Sequence, residues 1–333
     1  KEYTTFEVRL RAEQVDLGLD ILSDIVWSPA FRPEEVEAER SVILEELLMA
    51  HDEPADLVHD LFLEAAFPDH PLGRSTLGTE ETIEAMSPAA IAAFHAGAYR
   101  PDRVVVAAAG ALDHDRIVEA VAKRLPDGLG SASALDRRPA PPARGVRKVV
   151  ERPTEQVHVV VGTRTAGALH DDRFALEILT QALGGGISSR LFQEVREERG
   201  LAYSVYAYRS GWSDAGVLAF YAGTTPATAG EVVDLLAEGF DRVGASGLGE
   251  RELAIAQGQV VNSSVLGLED SGARMHRLGH SQLVHGRVEP LEDHLDRYAR
   301  LTLDDVGEVA RRLVDGPLSL ATIGPVGETA GHR

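Results

Sequence analysis

The chain contains no cysteine among its 333 residues. Disulfides, thiolate catalysis and cysteine-ligated metals are therefore excluded, and any metal must be held by His, Asp or Glu. Basic residues are also scarce. Lys and Arg total 33 against 53 Asp and Glu, a formal net charge of −20. A nucleic-acid surface needs a basic face, so that class is set aside, whereas a cationic ligand or substrate is permitted. Aromatic residues make up only 5%. No apolar run reaches the 18 or so residues that a membrane span needs. What remains is 44% hydrophobic and 26% charged, an ordinary globular balance. At about 150 residues per domain, the length predicts two domains.

The first residues alternate. Phe6, Val8 and Leu10 interleave with Glu7, Arg9 and Arg11, the period of a half-buried strand. Helical spacing of Val15, Leu19, Leu22 and Val26 follows. A second helix is expected from Pro33, a favoured first helical position, through Met49, with a further helix to about Ala66. Val104 to Ala109 reads as a buried strand. The segment 125–145 is rich in Gly, Ser and Pro and reads as a linker. Beyond it, strands are expected at 156–165, 201–209, 217–223 and 318–323. Helices are expected at 171–183 and 188–199, with three or four more over 226–314.

A weak long-period repeat runs through the chain. Phe31–Val36 aligns with Leu248–Leu253 at an offset of 217, and the strands at 104–110 and 318–324 align at 214. Ser87–Ile91 matches Thr302–Val306 at a similar offset. The repeat predicts an α+β fold of two similar domains, each a mostly antiparallel sheet packed against helices. The first copy lacks roughly 65–90 residues relative to the second, by this arithmetic. The domains are expected at 1–136 and 147–330, with a linker at 137–146.

Four groups of residues invite a chemical reading. Glu39 and Glu46 are seven apart on one expected helix. Two turns span about 7.2 residues, so both carboxylates face one way. Val42, Ile43, Leu47 and Leu48 surround Glu46 and make a buried carboxylate, needing a metal or a base, conceivable. His276 and His280 are spaced i, i+4 but have no glutamate between them, and read mainly as helix surface. Gly184-Gly185-Gly186 enters a helix but fits no phosphate fingerprint, so a tight turn is expected. Arg196 and Tyr203 flank Gly200. They read either as a surface arginine with a packed tyrosine or as donors aimed at a substrate oxygen.

Together these segments resemble a known family. Glu39-Arg40-Ser41-Val42-Ile43-Leu44-Glu45-Glu46, His70-Pro71-Leu72-Gly73-Arg74, Gly184 through Phe192, and Val195 through Val205 are similar to signatures of the pitrilysin/insulinase family of zinc metallopeptidases. The nearest likeness is to its mitochondrial processing peptidase branch. The resemblance implies metal-assisted hydrolysis of extended peptides, with Zn2+ as cofactor, and the net charge of −20 suggests basic ones. Glu46 would be the third zinc ligand and Glu39 would orient a zinc-bound histidine. Arg196 and Tyr203 would contact substrate or oxyanion, and a homo- or heterodimer could enclose a chamber. The chain departs from the family in one place: no His-x-x-Glu-His occurs in it. The resemblance implies that this motif precedes Lys1, and that the 333 residues alone neither hold catalytic zinc tightly nor cleave peptides. The alternative is a non-catalytic peptide-binding or assembly subunit. A cytoplasmic location is expected, with any export signal falling ahead of Lys1.

Overall fold

The computed structural model describes residues 1–126 and 139–325. The start of the expected linker, residues 137 and 138, lies outside them. The chain divides into two compact units. One comprises Lys1–Leu48, Leu77–Arg137 and Leu266–Val288, the other Met49–Thr76, Arg138–Val265 and Glu289–Arg333. No helix among the described residues is long and apolar enough to cross a membrane.

The second unit holds a five-stranded mixed sheet. Its strands are β1 (Arg147–Glu151), β2 (Val157–Thr165), β3 (Ala202–Gly211), β4 (Gly216–Thr224) and β5 (Ser319–Gly324), in the order β1-β5-β2-β4-β3. The β1–β5 pair is parallel and the other three pairs are antiparallel. The alternation in β2 sends Val157, Val159 and Val161 to one face and Val160 to the other. Every residue of β4 is buried, as expected of an inner strand covered on both sides.

Helices cover both faces of this sheet. On one face lie α7 (Asp172–Gly184), α8 (Ala229–Ser246) and α12 (Leu303–Val314), through Ile178, Leu179, Leu236, Phe240, Val306 and Leu313. On the other lies α3 (Pro54–Ala66), through Val58, Phe62 and Ala66 against Val160, Ala219 and Ile323. Phe62 sits close over Gly162. A Cβ at Gly162 would come within 2.6 Å of the Phe62 ring and 2.7 Å of Ala219 Cβ. The unit is completed by α9 (Glu250–Gly267), all but its last two residues, and by α11 (Leu291–Ala299).

The first unit is built from α1 (Val15–Trp27), most of α2 (Pro33–Asp52), α4 (Glu80–Ala85), α5 (Pro88–Ala98), α6 (His114–Ala122) and α10 (Ser271–His285). Arg9 pairs with Asp270 at 3.1 Å, and Tyr3 packs edge-on against His280. Two expected strands are absent here. Neither Tyr3–Arg11 nor Val104–Ala109 forms a strand, and the described residues of this unit contain no sheet. Phe6, Val8 and Val106 are 41%, 40% and 52% exposed.

The second unit supplies the physical reason. Segment 1–11 precedes α1 and α2 as β4 precedes α8 and α9. Segment 104–110 follows α5, capped by Ser87, as β5 follows α12, capped by Thr302. In the sheet β2 lies between β4 and β5 and pairs with both. Among the described residues of the first unit no strand stands where β2 stands in the second, so the two segments have no ladder to join, whatever their alternation.

Candidate functional site

The spacing of Glu39 and Glu46 is realised on α2, which runs unbroken through both. Both side chains are exposed, so the burial that the apolar neighbours of Glu46 suggested does not occur. The inward residue is Leu47. Arg40 also turns inward, with its side chain 14% exposed. It donates to the carbonyls of Ile83, Glu84 and Met86 and to the Glu37 carboxylate, and so ties α2 to the end of α4. Among the described residues, no group of three or more His, Asp or Glu side chains converges to hold a metal. Three protein ligands are the rule for catalytic zinc, so these residues by themselves do not fit the ion.

The i, i+4 pair His276 and His280 forms on α10 with its rings stacked at 6.1 Å. His276 is exposed and His280 half-buried. His70 is buried and accepts the Leu72 amide at 3.3 Å, which makes it the cap of a short turn.

The triple glycine is a close-packing device. Gly184 ends α7 against β3, where a Cβ would lie 2.1 Å from the Ala207 nitrogen. Gln181 closes the turn by donating to Gly185 O at 3.1 Å and to Gln259 Oε1 at 2.8 Å. Arg190 then grips Glu252 with two bonds of 2.6 Å and donates to Gly247 O at 2.8 Å.

Within the second unit, Arg196 and Tyr203 are brought together. Residues Phe192–Glu198 form a π-helix, not the α-helix expected from the spacing. The Arg199 amide bonds back five residues to Glu194 O at 3.2 Å. Gly200, at φ +62°, turns the chain into β3, and the ladder is irregular between Ala202 and Ser204, at Tyr203. The Arg196 guanidinium lies 4.9 Å from the Tyr203 ring centroid and 4.7 Å from that of Phe192. Tyr203 is 79% exposed. This pair presents a cation and a phenol to solvent, suitable donors for a carbonyl or carboxylate oxygen.

A second cluster had no signal in the sequence beyond the alternation of Tyr206 and Tyr208. His59 on α3 bonds Tyr208 Oη through Nδ1 at 2.8 Å and Tyr206 Oη through Nε2 at 3.1 Å. His158 on β2 bonds Tyr221 Oη at 2.9 Å. Burial lowers the pKa of both imidazoles. Asp56 and Asp60 oppose the shift at His59, and Glu53 opposes it at His158. Burial raises the Tyr221 phenol to about 12.

A lowered histidine pKa means that the unfolded chain binds protons more readily than the folded one. Stability is therefore expected to fall as pH drops from about 7 through the ordinary histidine range near 6.5. Urea midpoints at pH 7.5 and 5.5 measure this, and the fall should shrink in a His59→Gln/His158→Gln variant. An equal fall in that variant would locate its origin elsewhere. The lowered carboxylates Asp171 and Glu252 lose their contribution only at more acid pH, near and below 4.

A family profile described as the insulinase peptidase family M16 matches residues 1–80. One described as the peptidase M16 inactive domain matches residues 85–260. An uncharacterized zinc protease of Mycobacterium tuberculosis is 40% identical over 335 residues, spanning 98% of this chain and 76% of the relative. The chain belongs to the insulinase M16 peptidase family. Within it, an uncharacterized zinc protease of Bacillus subtilis is 33% identical, covering 98% of this chain and 80% of the relative. The fold matches a crystal structure of a peptidase M16 inactive domain from Pseudomonas fluorescens, with a TM-score of 0.84 at 22% identity over 94% of this chain and 76% of that one. A protease from Helicobacter pylori gives a TM-score of 0.83 at 21% identity, covering 94% and 77%.

Proposed function

We propose that this chain is the larger part of a zinc-dependent metalloendopeptidase of the processing peptidase branch, acting on extended peptides. The observation that carries the reading is the outward-facing pair of Arg196 and Tyr203, 4.9 Å apart. In this reading residues 1–136 belong to a first domain and residues 147–330 form its second. The first contributes Glu46 as a metal ligand and Glu39 as the group that orients a ligating histidine. The His-x-x-Glu-His motif that completes the metal site is not part of these 333 residues. Arg196 and Tyr203 donate to the carbonyl oxygen of the peptide, where negative charge develops during attack. The net charge of −20 favours basic peptides as substrates.

The test uses the longer protein that carries the His motif. Arg196→Ala is expected to lower peptide turnover by about 10²–10³-fold, the loss typical of one oxyanion donor, with metal content unchanged. Glu46→Gln is expected to lower metal content and turnover together. If neither variant changes either quantity, the roles assigned to Arg196 and Glu46 are wrong; if the longer protein itself neither binds metal nor turns over peptide, the peptidase reading fails and the chain is a non-catalytic peptide-binding or assembly subunit.

A further inference from the structure

The stretch 190–199 carries three arginines with different fates. Arg190 is committed to Glu252 and Gly247. Arg199 is committed to two carboxylates, Glu194 at 3.3 Å and Glu231 at 3.2 Å. Arg196 lies against two rings, and among the described residues its only ion pair is a loose one with Glu197 at 3.9 Å. Glu194 is the hub of this arrangement and is only 19% exposed. It takes two bonds from Arg242, at 3.1 and 2.5 Å, besides that from Arg199. Arg242 and Glu231 both stand on α8, about three turns apart and so on one face. The π-helix is thus fastened to α8 at two points, through Glu194–Arg242 and Arg199–Glu231.

We infer that Glu194 and Arg242 are positioning residues for Arg196. A π-turn holds one residue more than an α-turn and is uncommon unless its surroundings impose it. Relaxing it to α-geometry shifts the register by one residue, a rotation of roughly 100° about the helix axis. Arg196 would then leave the gap between Phe192 and Tyr203. The two fastenings hold the π-turn open, and the charges on either side of Arg196 are satisfied so that its own guanidinium stays uncommitted. The functional weight of this inference rests on the proposed role of Arg196, but the positioning itself does not.

The test uses the 333-residue chain labelled with ¹⁵N. The Arg196 Nε–H resonance, identified by its loss in Arg196→Lys, should be displaced by the ring currents of Phe192 and Tyr203. In Arg242→Ala and Glu194→Gln it is expected to move to the region of freely exposed arginines, and Arg242→Lys should restore part of the displacement. Arg312→Ala, which cuts the Arg312–Asp172 pair elsewhere in the unit, should leave it in place. Glu231→Gln removes only an exposed carboxylate, so it serves if the other variants do not fold. A smaller movement in the same direction is expected there. An unmoved resonance in folded Arg242→Ala and Glu194→Gln, or in Glu231→Gln if those do not fold, overturns the proposal. If the resonance moves but Arg196→Ala leaves peptide turnover in the longer protein unchanged, the positioning stands and the peptidase role of Arg196 falls.

Discussion

Gly184→Val is expected to leave the second unit unable to form its native α7–β3 contact. Even a Cβ at Gly184 would sit 2.1 Å from the Ala207 nitrogen, 2.6 Å from its Cβ and 2.8 Å from its Cα. Two of these three atoms are backbone, fixed by the β3–β4 ladder at Ala207↔Phe220, so no rotamer relieves the clash. Either α7 lifts off the sheet or β3 shifts. Overpacking of this kind costs about 3 kcal/mol or more when backbone must move. The denaturant midpoint of Gly184→Ala should already fall sharply, and that of Gly184→Val further. A midpoint within experimental error of wild type for Gly184→Ala would show that the contact is looser than its geometry implies. Gly186 is the control, because a Cβ there meets nothing closer than 3.8 Å. Gly186→Ala should be nearly neutral by comparison.

The second large effect is expected at Phe62. This ring is fully buried between α3 and the sheet, and Phe→Ala at such a site costs about 3–5 kcal/mol. The partner position makes the prediction specific. Gly162 leaves the space that the ring fills, so Gly162→Ala alone should also destabilise. In the Phe62→Ala background the added methyl enters the vacated volume, and its cost should be smaller. Relief stays partial, since a Cβ at Gly162 also approaches Ala219 Cβ and Leu218 O, both at 2.7 Å. Strict additivity of the two substitutions in urea denaturation would break the proposed contact between them.

These positions mark what the sequence disclosed and what it hid. β2 was legible from its valine alternation, and β4 from a short apolar run bounded by turn-forming glycines. β1 was not, because Arg147, Lys148 and Glu151 give it the composition of a loop. The strands expected at Tyr3–Arg11 and Val104–Ala109 show the converse. Their local pattern is sound, but a strand exists only with a neighbour, and pairing is not a local property. At the site, the spacing of Arg196 and Tyr203 left open whether the two side chains meet; the structure brings them together. The means of pairing lay beyond the pattern, since it uses a π-turn, a glycine at positive φ and a ladder irregularity in place of helical periodicity. Nothing in the spacing of His59 could reveal its tyrosine partners, which stand on a strand more than a hundred residues away.

The placement of α3 bears on how the second unit assembles. This helix precedes the sheet it covers by nearly a hundred residues at β2 and by more than two hundred and fifty at β5. Its docking closes long loops of chain before any apolar contact repays their entropy. On the opposite face α7 and α8 directly follow the strands β2 and β4 and close far shorter loops, while α12 joins them from the end of the unit just ahead of β5. The contacts of α3 therefore span the longest separations in the sheet layer; the α3 layer is expected to settle late in refolding, with Phe62→Ala raising the unfolding rate more than it lowers the folding rate.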